Sequence, residues 1–114
     1  MKIHEPILRD ILDLQAILLN EIIDEAAAAE RNLADAFGET TRTEGDLNAL
    51  VSIREEAQDS YRRMSSLMSN IASSPARTAV DSMRLLRQAY LRTGERIAPA
   101  IRSIQEVKIA WQLP

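Results

Sequence analysis

Residues 30–54 read ERNLADAFGETTRTEGDLNALVSIR, and this stretch decides the fold. A helical pattern stops at Phe37, where Gly38 follows as a natural residue just past a helix end. The segment GETTRTEG is dense in Thr and Gly and reads as a loop. Asp46 suits the N-cap of the next helix, which starts its own apolar pattern at Leu47. Folding the second helix back about the loop centre sets Phe37 against Leu47, Leu33 against Leu50, Ala26 against Ala57 and Ile23 against Tyr61. In the same register the acid Glu30 meets the base Arg54. One alignment therefore matches every apolar position with an apolar one and the stray acid with the stray base. This predicts an antiparallel hairpin with a Glu30–Arg54 pair in its seam, where such a pair can fix register.

The pattern extends outward in both directions. Pro6 suits a first helical turn, so the first helix is expected from Pro6 to Phe37. Its seam steps by alternating fours and threes through Leu12, Ala16, Leu19, Ile23, Ala26, Glu30, Leu33 and Phe37. The second helix runs to about Ala72 through Leu47, Leu50, Arg54, Ala57, Tyr61, Met64, Met68 and Ile71. The triplet SSP at 73–75 then ends one helix and starts another, with Ser74 as N-cap and Pro75 in the first turn. The third seam is Met83, Leu86, Tyr90, Thr93, Ile97, Ala100, Ile104, Val107 and Trp111. Gly94 and Pro99 interrupt that helix; a proline there cannot donate its backbone bond and clashes with the carbonyl of Glu95. The expected fold is all-α: one domain over residues 1–114, an antiparallel up-down bundle of three long helices. The third is expected to be kinked or split near Pro99, and a split would make four helices. Trp111 then falls near the loop and Phe37, and the methionines Met64, Met68 and Met83 serve as core filler.

Composition narrows the chemistry. The apolar fraction is 46%, enough for a core, and three glycines and four prolines leave room for few turns. No cysteine is present, which excludes disulfides, thiolate metal sites and a cysteine nucleophile. His4 is the only histidine and lies in the N-terminal tail, so a histidine-based triad or zinc site has nothing to build on. No catalytic, cofactor-binding or metal-ligating residue is assigned, and no cofactor is expected. The segment MKIHEPILRD lacks the apolar core and small-residue cleavage site of a signal peptide. The uncharged run 14–20 is too short to cross a bilayer. A cytoplasmic protein without membrane contact is expected.

Charge is split along the chain. Residues 1–60 hold 14 acids and 5 bases; residues 61–114 hold 3 acids and 9 bases. Arg84, Arg87, Arg92, Arg96 and Arg102 form the basic face of the third helix. They spread over the whole arc outside its seam, as a solvated face does, with the acids Asp10, Asp13, Glu21, Asp24 and Glu25 available as partners. An arginine face for nucleic acid or another phosphate-bearing partner is the alternative. The pI of 5.2 and the absence of a glycine-rich phosphate loop weigh against nucleic acid. A second alternative is enzymatic. Glu21, Asp24 and Glu25 share one helix face and Glu55, Glu56 and Asp59 another. Two such clusters facing each other would suit Mg²⁺, as in an all-α nucleoside triphosphate pyrophosphatase.

The first helix carries more apolar surface than one neighbour needs. Ile7, Ile11, Leu14, Leu18 and Ile22 make a second stripe, with Ile17 outside both. These six residues are the expected interaction surface, either filled by the third helix or used for self-association or a partner helix. The expected function is therefore non-enzymatic: a small helical protein of adaptor, chaperone or regulator type, acting through protein–protein contacts, with a homodimer as its first form.

Overall fold

A computed structural model describes all 114 residues. The protein is all-helical and contains no strand. Helix α1 spans Glu5–Ile17, a π-helical segment spans Leu18–Ile23, and α2 spans Asp24–Phe37. The residues at both junctions keep right-handed helical dihedrals, so 5–37 form one continuous rod. Helix α3 spans Glu44–Ser73 and α4 spans Ala76–Trp111. The molecule measures 54 × 21 × 18 Å. Thirty-six residues at about 1.5 Å each equal that longest dimension, so α4 runs the whole length.

Local chemistry places the helix ends within three residues of expectation. Gly38 closes α2 with φ +77° and ψ 176°, a conformation that side chains resist. Its N–H reaches the Ala34 carbonyl at 2.8 Å. Helix α3 starts at Glu44 with Thr43 as its capping residue, three residues ahead of an Asp46 cap. The reason is the buried Thr43 hydroxyl, which donates to the Gly38 carbonyl at 2.8 Å and accepts from the Thr40 N–H at 2.9 Å. That knot fixes the loop from inside and leaves the Asp46 carboxylate free for another partner. At the other end Ser74 is extended, as a residue before proline must be, so α3 stops at Ser73. Pro75, expected within the first turn, instead precedes Ala76 as the capping residue, and its carbonyl accepts from the Thr78 and Ala79 N–H groups.

The expected split of the last helix does not occur. Helix α4 continues through Gly94 and Pro99 without a break, so there is no fourth rod. Both residues lie on the exposed side, where the carbonyl orphaned by the proline ring can be hydrated, while Thr93, Ile104 and Val107 hold the helix to its neighbours from within.

The seams of α3 and α4 are buried or half-buried at every position read from the sequence. The first rod departs from its expected seam. Ala26 and Leu33 are buried and Ile23 and Glu30 half-buried, but Leu12, Ala16, Leu19 and Phe37 are exposed. Ile11, Leu14, Leu18 and Ile22 fill the core instead, one residue before the expected positions except Leu14, which lies two before Ala16. The π segment is the cause. A π turn accommodates one extra residue, so a stripe that runs 11, 14, 18 in α1 continues as 22, 26, 29, 33 rather than 21, 25, 28, 32. A strict heptad extrapolated backward from α2 across that turn lands one position off. The expected interaction surface is corrected accordingly: Ile11, Leu14, Leu18 and Ile22 belong to the core of the single chain, and Ile7 and Ile17 are half-buried. Burial of each large aliphatic contributes about 1.5–3 kcal/mol, which an intermolecular role would forfeit in the monomer.

Candidate functional site

The seam pair and the helix-end contacts come first, because they position everything else. The Arg54 guanidinium lies 3.3 Å from the Glu30 carboxylate, both side chains about one quarter exposed, and also reaches the Gln58 amide oxygen at 3.5 Å. Gln15, buried in the core, donates to the Tyr61 carbonyl at 3.2 Å and the Ser65 hydroxyl at 2.8 Å. Lys108 pairs with Glu25 across to the first rod. The Trp111 indole donates to Asp46 at 2.7 Å and packs against Phe37 in a tilted arrangement, ring centroids 4.9 Å apart and planes at 57°.

The five arginines of the basic face are all exposed. None of them pairs with an acid of the first rod. Arg96 pairs with Glu56 of α3 at 2.6 Å and Arg84 with Asp81 one turn away at 3.5 Å. Arg87, Arg92 and Arg102 have no carboxylate within ion-pair distance. The two acidic clusters do not converge either: no three acids come close enough together to hold one metal ion. Glu25 is engaged by Lys108, Glu56 by Arg96 and Asp59 by Arg62.

Two further features were not read from the sequence. The row Leu12, Ala16 and Leu19 faces outward along α1 and the π segment, with Leu12 50% and Leu19 43% exposed. The 3–4 spacing predicts it as seam, and the π turn rotates it to the surface. On α4, Val80, Leu91 and Ile109 are exposed on one face, since steps of 11 and 18 residues return to nearly the same angle at about 100° per residue. Their off-seam positions were visible for Leu91 and Ile109, but the shared face emerges only when α4 is continuous through Pro99.

No known protein family, curated protein or solved structure matches this chain. No helix is long and apolar enough to cross a membrane.

Proposed function

We propose that this is a non-enzymatic helical protein that works through protein–protein contacts, self-association first, as an adaptor, chaperone or regulator would. The three rods are read as an antiparallel up-down bundle of coiled-coil character, with α4 bent at Pro99. Support for that arrangement comes from the order of contacts: Gln15 lies at Ser65 while Glu30 lies at Arg54, and Arg96 lies at Glu56 while Trp111 lies at Asp46. The observation that carries the functional reading is the outward row Leu12–Ala16–Leu19. It has the spacing of a helix-pairing seam and no partner within the chain. A second copy presenting the same row in a two-fold arrangement would cover it.

Light scattering on a sizing column, over a range of protein concentration, tests this. A dimer that dissociates in Leu19→Glu with helicity unchanged is the expected result. A monomer at every concentration overturns self-association. Leu18→Glu is the matched control: it replaces a core residue and should unfold the chain instead of releasing a monomer.

A phosphate-bearing partner on the α4 face is the second reading, favoured by the three arginines without carboxylates. Binding of that kind would weaken steeply with salt and with Arg87→Glu.

A further inference from the structure

Two clefts adjoin between α3 and α4 near the middle of the molecule. The first, of about 370 Å³, is walled by Leu18 and Ile22 of the π segment, Ile53 and Ala57 of α3, and Ile97 and Ala100 of α4. The second, of about 300 Å³, is bordered by Asp59, Arg63, Gln88 and Arg92. They share Glu56, Ser60, Thr93 and Arg96, so together they make one groove with an apolar end and a polar end. The groove has a structural origin. The π turn, the Pro99 turn and the small side chains Ala57, Ala100 and Ser103 fall at one level of the molecule. Each leaves space that a regular helix with larger side chains would fill, and π turns recur at functional sites.

The polar end has unused capacity. Glu56 is taken by Arg96 and Asp59 by Arg62, whereas Arg63 and Arg92 have no carboxylate partner. Glu95 borders only the apolar cleft and is exposed at its lip. Thr93 is the most telling residue. It is only 6% exposed, it lines both clefts, and its hydroxyl takes part in no hydrogen bond within the protein. No fully buried side-chain nitrogen or oxygen lacks a partner, so that hydroxyl keeps accessible surface, and the clefts Thr93 lines are where it is open. Thr93 is thus a largely buried residue whose hydroxyl has no partner in the protein and is left to bond whatever occupies the groove, water or ligand.

We infer that the groove binds a small monocarboxylate with an aliphatic tail. The tail lies against Leu18, Ile22, Ile53 and Ile97. The carboxylate accepts from the Thr93 hydroxyl and the Arg92 guanidinium, with Arg63 opposite. The size and the mix of apolar wall with a few polar groups are those of small-molecule sites, and planar guanidinium groups suit a carboxylate. This site is separate from the Leu12–Leu19 row and stands whether or not the chain self-associates.

The test titrates the whole protein with decanoate and with decylamine, which has the same tail and the opposite head charge. Both are kept below the concentration at which they aggregate, and binding is followed by calorimetry and thermal melting. Saturable binding of one decanoate per chain, with a rise in melting temperature and no such effect of decylamine, is expected. Arg92→Glu, an exposed position that should not disturb folding, should weaken decanoate by about tenfold, the effect of losing one charged hydrogen bond. Thr93→Val should weaken decanoate several-fold without lowering the melting temperature of the free protein, a combination that mere damage to the core would not give. Equal binding of decylamine, absence of saturable binding, or an Arg92→Glu variant with unchanged affinity each overturns the assignment.

Discussion

The Trp111 indole N–H donates to the Asp46 carboxylate at 2.7 Å, joining the last residue of α4 to the first turn of α3 across 65 positions of sequence. Phe37, the last residue of α2, closes on the same indole. Three helix ends thus meet on one side chain. Asp46 also sits where a negative charge complements the positive end of the α3 dipole.

Asp46→Ala should therefore cost about 1–2 kcal/mol, the range for a partly exposed hydrogen bond to a charged group. Asp46→Asn keeps an acceptor and should cost less. Urea unfolding measures both. Trp111 is the only tryptophan, so its fluorescence reports this junction directly beside the far-ultraviolet signal of all helices. Coincident curves with no loss of stability in Asp46→Ala would show that Phe37 alone seats the indole.

The π segment yields a sharper expectation. Leu19, Asn20 and Glu21 are exposed, and one residue among them is the insertion that shifts the stripe. Deleting Asn20 should convert the segment to regular α-helix while keeping Ile11, Leu14 and Leu18 in line with Ile22, Ala26 and Leu33. The deletion protein should be as helical as the parent and melt within a few degrees of it, since a few degrees is about 1 kcal/mol in a chain this size. Deleting Asp13 in plain α-helix should do the opposite. It rotates the preceding residues by about 100°, turns Ile11 and Ile7 out of the core and lowers the melting temperature sharply. Equal damage from both deletions would mean that the π turn absorbs nothing.

The particular residues show what was legible in the sequence and what was not. Seam positions in α3 and α4 were readable because those helices are unbroken from end to end, so a 3–4 step holds along each. The meeting of Glu30 with Arg54 and of Trp111 with Phe37 followed from that register. In the first rod the same rule worked from Ile23 to Leu33 and failed before it, because hydrophobic spacing in LLNEII fits two phases, and neighbouring Leu18 and Leu19 are equally apolar; at its far end Phe37 is exposed and packs on Trp111. Only packing decides between them: Leu18 is 2% exposed and Leu19 43%. Thr43 is not legible as a cap because its hydrogen bonds go to the loop and not to the helix it precedes. The arginine face was readable as exposed, but its partners were not, since ion pairing across helices depends on their rotation. The groove at Thr93 needs the π turn, Pro99 and the small side chains Ala57, Ala100 and Ser103 at one level, which no local pattern encodes.

Glycine positions separate space from conformation. A methyl group added at Gly94 meets nothing within 4 Å, and the residue is in regular helix. Gly94→Ala should stabilise by about 0.5–1 kcal/mol, the helix-propensity difference. Gly38 also has room, with its nearest neighbour 3.9 Å away, but its φ of +77° with extended ψ is nearly exclusive to glycine. Gly38→Ala should cost about 1–3 kcal/mol through backbone strain alone. Thermal denaturation of the two variants side by side should show shifts of opposite sign. A destabilised Gly94→Ala would indicate that α4 needs its weak point beside Pro99.

The Glu30–Arg54 pair is the one place where charge enters the seam between the first rod and α3. Its side chains are about one quarter exposed, so solvent screening is partial and their mutual attraction modest. Arg54→Leu leaves the Glu30 carboxylate half-buried without its cation, and Glu30→Leu leaves Arg54 only the Gln58 amide oxygen as an acceptor. Each single change should lower stability by about 1 kcal/mol, and the pair should show a coupling of about 0.5–1 kcal/mol in a double-mutant cycle. The double leucine variant should recover the loss or exceed the parent, because apolar side chains there extend the core without a desolvation cost. If the double leucine variant is instead less stable than either single one, the pair supplies net stability and not register alone. A rise in solution mass for that variant, with helicity unchanged, would indicate that the charges also guard the seam against pairing with a second copy.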